Sequence, residues 1–138
     1  MSADALLSRL ENVRRTGAGR WIARCPAHDD RRASMSIREL EDGTVLLHDF
    51  AGCEVAAILA AVSLDMAALF PERSSSHGRR ERRPFAAADV LRCIGFEALI
   101  VAVAAENMAA GKALSSDDLA RLRTAAARLK AAANIHDE

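Results

Sequence analysis

The sequence predicts a small α+β protein: a metal-organised β-ribbon with short flanking helices, followed by an antiparallel helical hairpin. Three observations carry that prediction. Two tight turns, Cys25 with His28 and His48-Asp49 with Cys53, hold groups that ligate borderline cations, about two dozen residues apart. Segments before and between these turns alternate apolar and polar residues, as half-buried strands do. From Pro84 onward the composition turns alanine-rich, with apolar residues every three or four positions, the spacing of a helix face.

Residues 2–13 place Ala5, Leu6, Leu7, Leu10 and Val13 at helical spacing behind Ser2 as N-cap. Thr16-Gly17-Ala18-Gly19 breaks that helix. Arg20 to Arg24 reads as a strand that carries Trp21 and Ile22 into the first turn. Met35-Ser36-Ile37-Arg38 reads as a second strand. Glu41-Asp42-Gly43 is a hairpin turn, because Asp-Gly tolerates the positive φ such turns demand. Thr44 to His48 then runs straight into the second turn, where Gly52 lets the backbone fold tightly. A short helix with Val55, Ile58, Leu59 and Val62 on one face follows, then a helical turn over 65–70 ended by Pro71.

These elements predict a first domain at 1–72. Residues 73–83 hold Arg73, Arg79, Arg80, Arg82 and Arg83 among serines and no apolar residue, the composition of a flexible basic linker. In the second domain, 84–138, one helix carries Leu91, Ile94, Ala98, Val101, Ala105 and Met108 on a seam. Gly111 is placed to end it as C′ residue. Ser115-Ser116-Asp117-Asp118 starts the next, with a cap and acids in the first turn. Leu119, Leu122, Ala126, Leu129 and Ala133 continue the seam. Two helices alone bury too little to be stable. The hairpin is therefore expected to pack on the first domain, on a partner, or on a copy of itself as a homodimer.

The 138 residues suit one ordinary domain or two very small ones. A core of about 70 residues is thin and benefits from a metal staple. The net charge is zero, so no global field draws the chain to nucleic acid or acidic membranes. Locally, seven arginines (Arg14, Arg15, Arg20, Arg24, Arg31, Arg32 and Arg38) stand against two acids, Asp29 and Asp30. Guanidinium groups suit bidentate phosphate contact. The alternative is a solvated face. Trp21 either stacks on a base or anchors the ribbon core, and Phe50 reads as packing. Ser34 and Ser36 are phosphate donors or outward strand positions.

Three cysteines is an odd count, and the first 13 residues carry acids and no continuous apolar run. No signal peptide is expected, and a reducing cytoplasm is. The apolar stretch over 85–110 is interrupted by Asp89, Arg92, Glu97 and Glu106. Its longest charge-free part, eight residues, falls far short of the ~20 a membrane span needs. No membrane association is expected.

Zn2+ takes four ligands in a tetrahedron from thiolate, imidazole or carboxylate. Cys25 and His28, at C-x-x-H spacing, reach one ion across a turn that Pro26 stiffens. Cys53 supplies a third ligand. The fourth is Asp49, at the usual offset before Cys53, or its rival His48. In a strand the two point to opposite faces, so one alone reaches the ion unless the strand ends there. His77 and His136 lie in polar segments and read as unrelated.

Three runs now carry a family resemblance: Gly19-Arg20-Trp21 through Cys25-Pro26-Ala27-His28-Asp29-Asp30, then Ala33-Ser34-Met35-Ser36-Ile37, then Val45-Leu46-Leu47-His48-Asp49-Phe50-Ala51-Gly52-Cys53. Together they resemble the zinc-binding domain at the N-terminus of bacterial and phage DNA primases. The resemblance covers roughly residues 5–71 and implies that Cys25, His28 and Cys53 bind zinc. Asp49 stands where that family has a cysteine, and Ala33 where it often has proline. Residues 84–138 offer no acidic metal cluster and no glycine-rich phosphate loop. The chain therefore looks like a freestanding primase-type zinc ribbon of a prophage or mobile element.

The resemblance implies a non-catalytic accessory protein of DNA replication that binds single-stranded DNA through its arginines. The alternative is a zinc-stabilised adaptor that docks a primase or helicase through the helical hairpin. A metalloenzyme would need an open coordination position and a spare general base, and no such base is evident.

Overall fold

The computed structural model describes residues 2–70 and 85–134. The linker expected at 73–83, the boundaries expected at 72 and 84, His77 and His136 lie outside the described residues. The chain divides into two compact units between Cys93 and Ile94, and the architecture is α+β, as the sequence predicts.

The first unit is built on a four-stranded antiparallel sheet of β1 (Arg14–Gly17), β2 (Arg20–Ala23), β3 (Met35–Glu39) and β4 (Val45–Asp49), in that spatial order. The β3–β4 turn closes on Asp42-Gly43. Gly43 has φ 87, and the Thr44 N–H donates to Asp42 Oδ1 at 2.9 Å. Gly19, φ 64, turns β1 into β2 and lies so close to β3 that an added Cβ would meet the Glu39 carbonyl oxygen at 3.0 Å.

The helix expected over 2–13 is shorter. Helix α1 spans Ser2–Leu7, and Arg14–Gly17 forms a strand instead of a helix end and break. Asn12 takes the left-handed conformation, φ 53, and the Arg24 N–H donates to the Glu11 carbonyl at 3.2 Å. Asparagine tolerates that conformation better than other side-chain-bearing residues. The reversal swings the chain from helix to sheet edge.

Alternation along the strands gives the sheet two faces. On one, Ala23, Met35, Ile37, Val45 and Leu47 are buried against Ala3 and Leu6 of α1, Ile58 and Leu59 of α2 (Val55–Ala61), and Leu69 of a 3-10 turn, Met66–Leu69. Burying each such Leu or Ile contributes about 1.5–3 kcal/mol. Trp21 is half-buried and packs against this core. The other face carries Ile22, Ser36 and His48. The first turns of α3 (Ala87–Ala109) lie over it. The Thr16 hydroxyl donates to buried Asp89 at 2.8 Å, and Phe85 lies 6.1 Å from His48, ring centre to ring centre.

The second unit comprises α3 from Ile94 and helix α4 (Ser116–Asn134). Gly111, φ 75, ends α3 as predicted: its N–H donates to Met108 O at 3.0 Å, and that of Lys112 to Asn107 O at 2.9 Å. Ser115 Oγ caps α4, accepting from the Asp118 N–H at 3.1 Å. The seam differs from the one read in the sequence. Leu91 and Met108 are 64% and 58% exposed, whereas Glu97, Ala104, Ala125 and Ala132 are buried. The buried line of α3 is thus shifted one residue, about 100° of rotation. Alanine makes several faces look apolar, and the buried charge decides between them. Glu97 accepts from Arg121 Nη1 and Nη2 at 2.7 and 2.9 Å, and from Arg128 Nη1 at 2.8 Å.

Burial opposes ionisation of Glu97, but the Arg121 and Arg128 hydrogen bonds outweigh it and hold its pKa below the usual glutamate range. Its stabilisation is therefore complete above the unfolded value of about 4.3 and is lost as pH falls through the lower folded pKa. We expect Glu97→Ala to destabilise the full chain at pH 7 by about 1–3 kcal/mol. Urea denaturation followed by helical circular dichroism measures this. The difference should shrink below pH 4, and an unchanged midpoint at pH 7 would show that the three bonds add nothing.

Candidate metal centre

Strand β2 delivers the chain into the first knuckle, Cys25-Pro26-Ala27-His28. The Asp30 carboxylate organises it: Oδ2 accepts from the Cys25 N–H at 3.0 Å and Oδ1 from the Arg32 N–H at 3.2 Å. Arg24 Nε donates to the Asp30 carbonyl at 2.6 Å. The second knuckle starts at the last residue of β4. Asp49 Oδ1 accepts from the Ala51 N–H at 3.1 Å, and Oδ2 from the Cys53 N–H at 3.2 Å. Gly52, φ 104, supplies the left-handed residue that lets Cys53 turn back. The two knuckles are tied by the Phe50 N–H, which donates to Ser34 O at 2.9 Å. The Ser34 hydroxyl also lies 2.6 Å from Asp30 Oδ2 and 2.8 Å from Asp49 Oδ1.

The ligand atoms of Cys25, His28, Asp49 and Cys53 all lie within 4.8 Å of one another. His28 Nδ1 is 3.2 Å from Cys53 Sγ and 3.5 Å from Asp49 Oδ2. A tetrahedron with metal–ligand bonds of 2.0–2.3 Å has edges of roughly 3.3–3.8 Å. Two sulfurs, one imidazole nitrogen and one carboxylate oxygen at these separations fit one borderline divalent cation.

His48 stands outside this group. It projects from the opposite face of β4, edge-on to Phe50 with ring centres 4.7 Å apart. Burial, opposed by the Asp49 charge, pushes its pKa below the usual histidine value. Phe50 is buried and packs. The structure thus gathers Cys25, His28, Asp49 and Cys53, and leaves His48 half-buried on the opposite face beside Phe50 and Phe85.

The arginines form no single surface. Arg20 and Arg38 face each other across β2–β3, on the face that carries Ser36 and His48. Arg14 shares that face, at the β1 edge. Arg15 pairs with Trp21 and donates to Gly17 O at 3.2 Å. Arg24 bridges the knuckle to Glu11 at 3.4 Å. Arg31 and Arg32 are exposed in the loop between the knuckle and β3. Trp21 is committed in part to the core. The sequence does not single out Asp30, and Ser34 reads in it as a phosphate contact or an outward strand position. The readable signal is an aspartate in the loop just after the knuckle, since such an Asp accepts from the backbone N–H two residues on, here that of Arg32.

No protein-family model, curated protein or solved structure matches the chain. Fold and site define a class all the same: a small α+β protein whose sheet ends in a four-residue Cys-His-Asp-Cys cluster suited to a metal ion. Among the described residues, no helix is long and apolar enough to cross a membrane.

The protonation of the cluster follows from its burial. Burial pushes the Cys25 thiol up to about 12, against the Ala27 N–H that favours the thiolate, and the Asp49 charge adds to the rise. Burial, then the Asp49 carboxylate, raise Cys53. Burial disfavours ionised Asp49, but hydrogen bonds from Ala51, Ser34 and Cys53 outweigh it and lower its pKa. At neutral pH both thiols hold protons that a metal ion must displace. Affinity should therefore rise with pH by about tenfold per thiol per unit, roughly a hundredfold for the pair. Competition with a chromophoric chelator at pH 6.8 and 7.8 (about one unit apart) measures the slope. An affinity independent of pH would exclude binding through two thiolates.

Proposed function

We propose that Cys25, His28, Asp49 and Cys53 hold one structural zinc ion. On this reading the protein is a non-catalytic accessory factor of DNA replication in a prophage or mobile element, and binds single-stranded DNA through its arginines. One observation carries it: two knuckles separated by a hairpin bring four ligand atoms within 4.8 Å. That geometry supports the resemblance to primase zinc domains. Four protein ligands close a tetrahedron and leave no position for a catalytic water, the pattern of a structural site. Zinc suits the mixed sulfur, nitrogen and oxygen donors better than magnesium or calcium, which prefer oxygen alone. Asp49 is suited to bind through Oδ2, which accepts from the Cys53 N–H and lies 3.5 Å from His28 Nδ1, whereas Oδ1 is held by both Ser34 and the Ala51 N–H.

Elemental analysis of the purified protein tests the centre. The wild type and His48→Ala should carry one equivalent of zinc, and Asp49→Ala should lose most of it. Loss with His48→Ala and retention with Asp49→Ala would transfer the fourth position to the histidine.

The DNA reading is tested by salt. Each phosphate held lowers log K against log salt by about 0.7 for single strands, so three or four arginine contacts give a slope of roughly −2 to −3. Arg31→Ala with Arg32→Ala should flatten it. A second reading is favoured by the helical unit, where exposed Phe96, Leu99 and Val103 line an apolar groove of ≈ 330 Å³ with Ile100 and Leu114. Such a face suits an adaptor that docks a primase or helicase. A flat salt response, with capture of a primase or helicase abolished by Leu99→Asp, would select the adaptor.

A further inference from the structure

The two nitrogens of an imidazole point in diverging directions, so the group behind a ligating histidine decides which nitrogen faces the ion. His28 Nδ1 faces the cluster, 3.2 Å from Cys53 Sγ and 3.5 Å from Asp49 Oδ2. Nε2 faces away from it, and the carboxylate oxygen it approaches is Asp30 Oδ2, at 3.8 Å. The Asp30 side chain is 11% exposed, little enough for its charge to act on the ring without full screening by water.

Asp30 is not placed to ligate. Its Oδ2 accepts from the Cys25 N–H and lies 2.6 Å from the Ser34 hydroxyl, and its Oδ1 accepts from the Arg32 N–H. Those contacts pin the carboxylate behind the first knuckle. From there it touches three parts of the cluster. It bonds the backbone of Cys25 and lies behind the ring of His28. Through Ser34 it connects to Asp49 Oδ1, 2.8 Å from the same hydroxyl. That hydroxyl has one proton to share between two carboxylates.

We propose that Asp30 is the positioning residue of this centre: it holds His28 as the Nε2–H tautomer, so that Nδ1 is the metal-binding atom, and braces the Cys25 turn with the same carboxylate. The proposal rests on the metal-centre reading above and deepens it. Metal binding draws electron density from the ring and makes Nε2–H a better donor, and a carboxylate behind it strengthens the nitrogen as a ligand. Serine at position 34 then couples the orienting carboxylate to the ligating one.

The test is made on the zinc-loaded full chain. Long-range proton–nitrogen correlation spectra of the wild type report the His28 tautomer directly, and should show a protonated Nε2 and a metal-bound Nδ1. A metal-bound Nε2 would overturn the proposal without any variant. Asp30→Asn, which keeps the size and removes the charge, should weaken zinc affinity by about 10–100-fold in chelator competition. It should also speed exchange of the His28 Nε2 proton with water. Ser34→Ala should lower affinity less and leave the tautomer unchanged, which separates the role of Asp30 from a general loosening of the knuckles. Should Asp30→Asn fail to fold without metal, as circular dichroism would show, the wild-type tautomer and Ser34→Ala still decide. Unchanged affinity and proton exchange in Asp30→Asn would sink the positioning role while leaving the centre intact. A wild type that takes up no zinc would instead sink the centre itself.

Discussion

A buried carboxylate at the end of a strand must be satisfied, and the N-terminal unit is organised around that requirement. Asp49 is 1% exposed. Left without partners, an ionised group there would cost several kcal/mol. Its oxygens instead meet two backbone N–H groups of the second knuckle, a serine hydroxyl from the approach to β3, and the imidazole of the first knuckle. These partners come from three segments: the second knuckle itself, the approach to β3, and the first knuckle. Satisfying one charge therefore draws the two knuckles together, and the cysteines arrive with them.

The sheet makes this convergence possible. Strands β2 and β4 are not neighbours, since β3 lies between them. Yet the register sets Ala23 opposite Met35, and Met35 opposite Asp49. One cross-strand row thus runs from the residue two before Cys25 to the carboxylate. Adjacent strands lie about 4.8 Å apart, so roughly 10 Å separates the ends of that row. The first knuckle crosses this gap over the start of β3, and Asp30 and Ser34 hold it there. A slip of one residue in β3–β4 would send Asp49 to the other face and bring His48 to the cluster side. Burial of Val45 and Leu47 on the core face specifies the register against such a slip.

Much of this was legible in the sequence, for identifiable reasons. Asp42-Gly43, Gly111 and Ser115 announce turns and caps through local chemistry that depends on no distant residue. The spacing of Cys25, His28 and Cys53 is legible because a metal site demands particular side chains at short range, while the fourth position stays open between Asp49 and His48 until the fold groups Asp49 with them. Alternation along β4 separates His48 from Asp49. What stayed hidden depends on tertiary context. Residues 8–13 read as the tail of a helix because Leu10 and Val13 keep the helical period, and a left-handed Asn12 overrides it and leads into strand β1. The seam of α3 is ambiguous because alanine lowers the contrast between faces. Glu97 looks like a surface residue until two arginines 24 and 31 positions away neutralise it. Asp30 looks like a solvated acid because its role lies in bonds to the backbone, which composition does not display.

Aspartate at position 49 trades donor softness for rigidity. A thiolate has a single ligating atom, and any hydrogen bond it accepts is made by that same sulfur. A carboxylate has two oxygens. Here Oδ1 is taken by Ser34 and Ala51, while Oδ2, which accepts from the Cys53 N–H, lies toward His28. The ligand is thereby oriented before any cation arrives, and little side-chain freedom remains to be lost on binding. The loss is in affinity for the softest ions, since an oxygen replaces a third sulfur. On the proposed reading, in which the metal would only join two turns, that exchange is tolerated. The hydrogen bonds that orient Asp49 reach Ser34, which also contacts Asp30 of the first knuckle, so protein groups tie the two knuckles together alongside any shared cation.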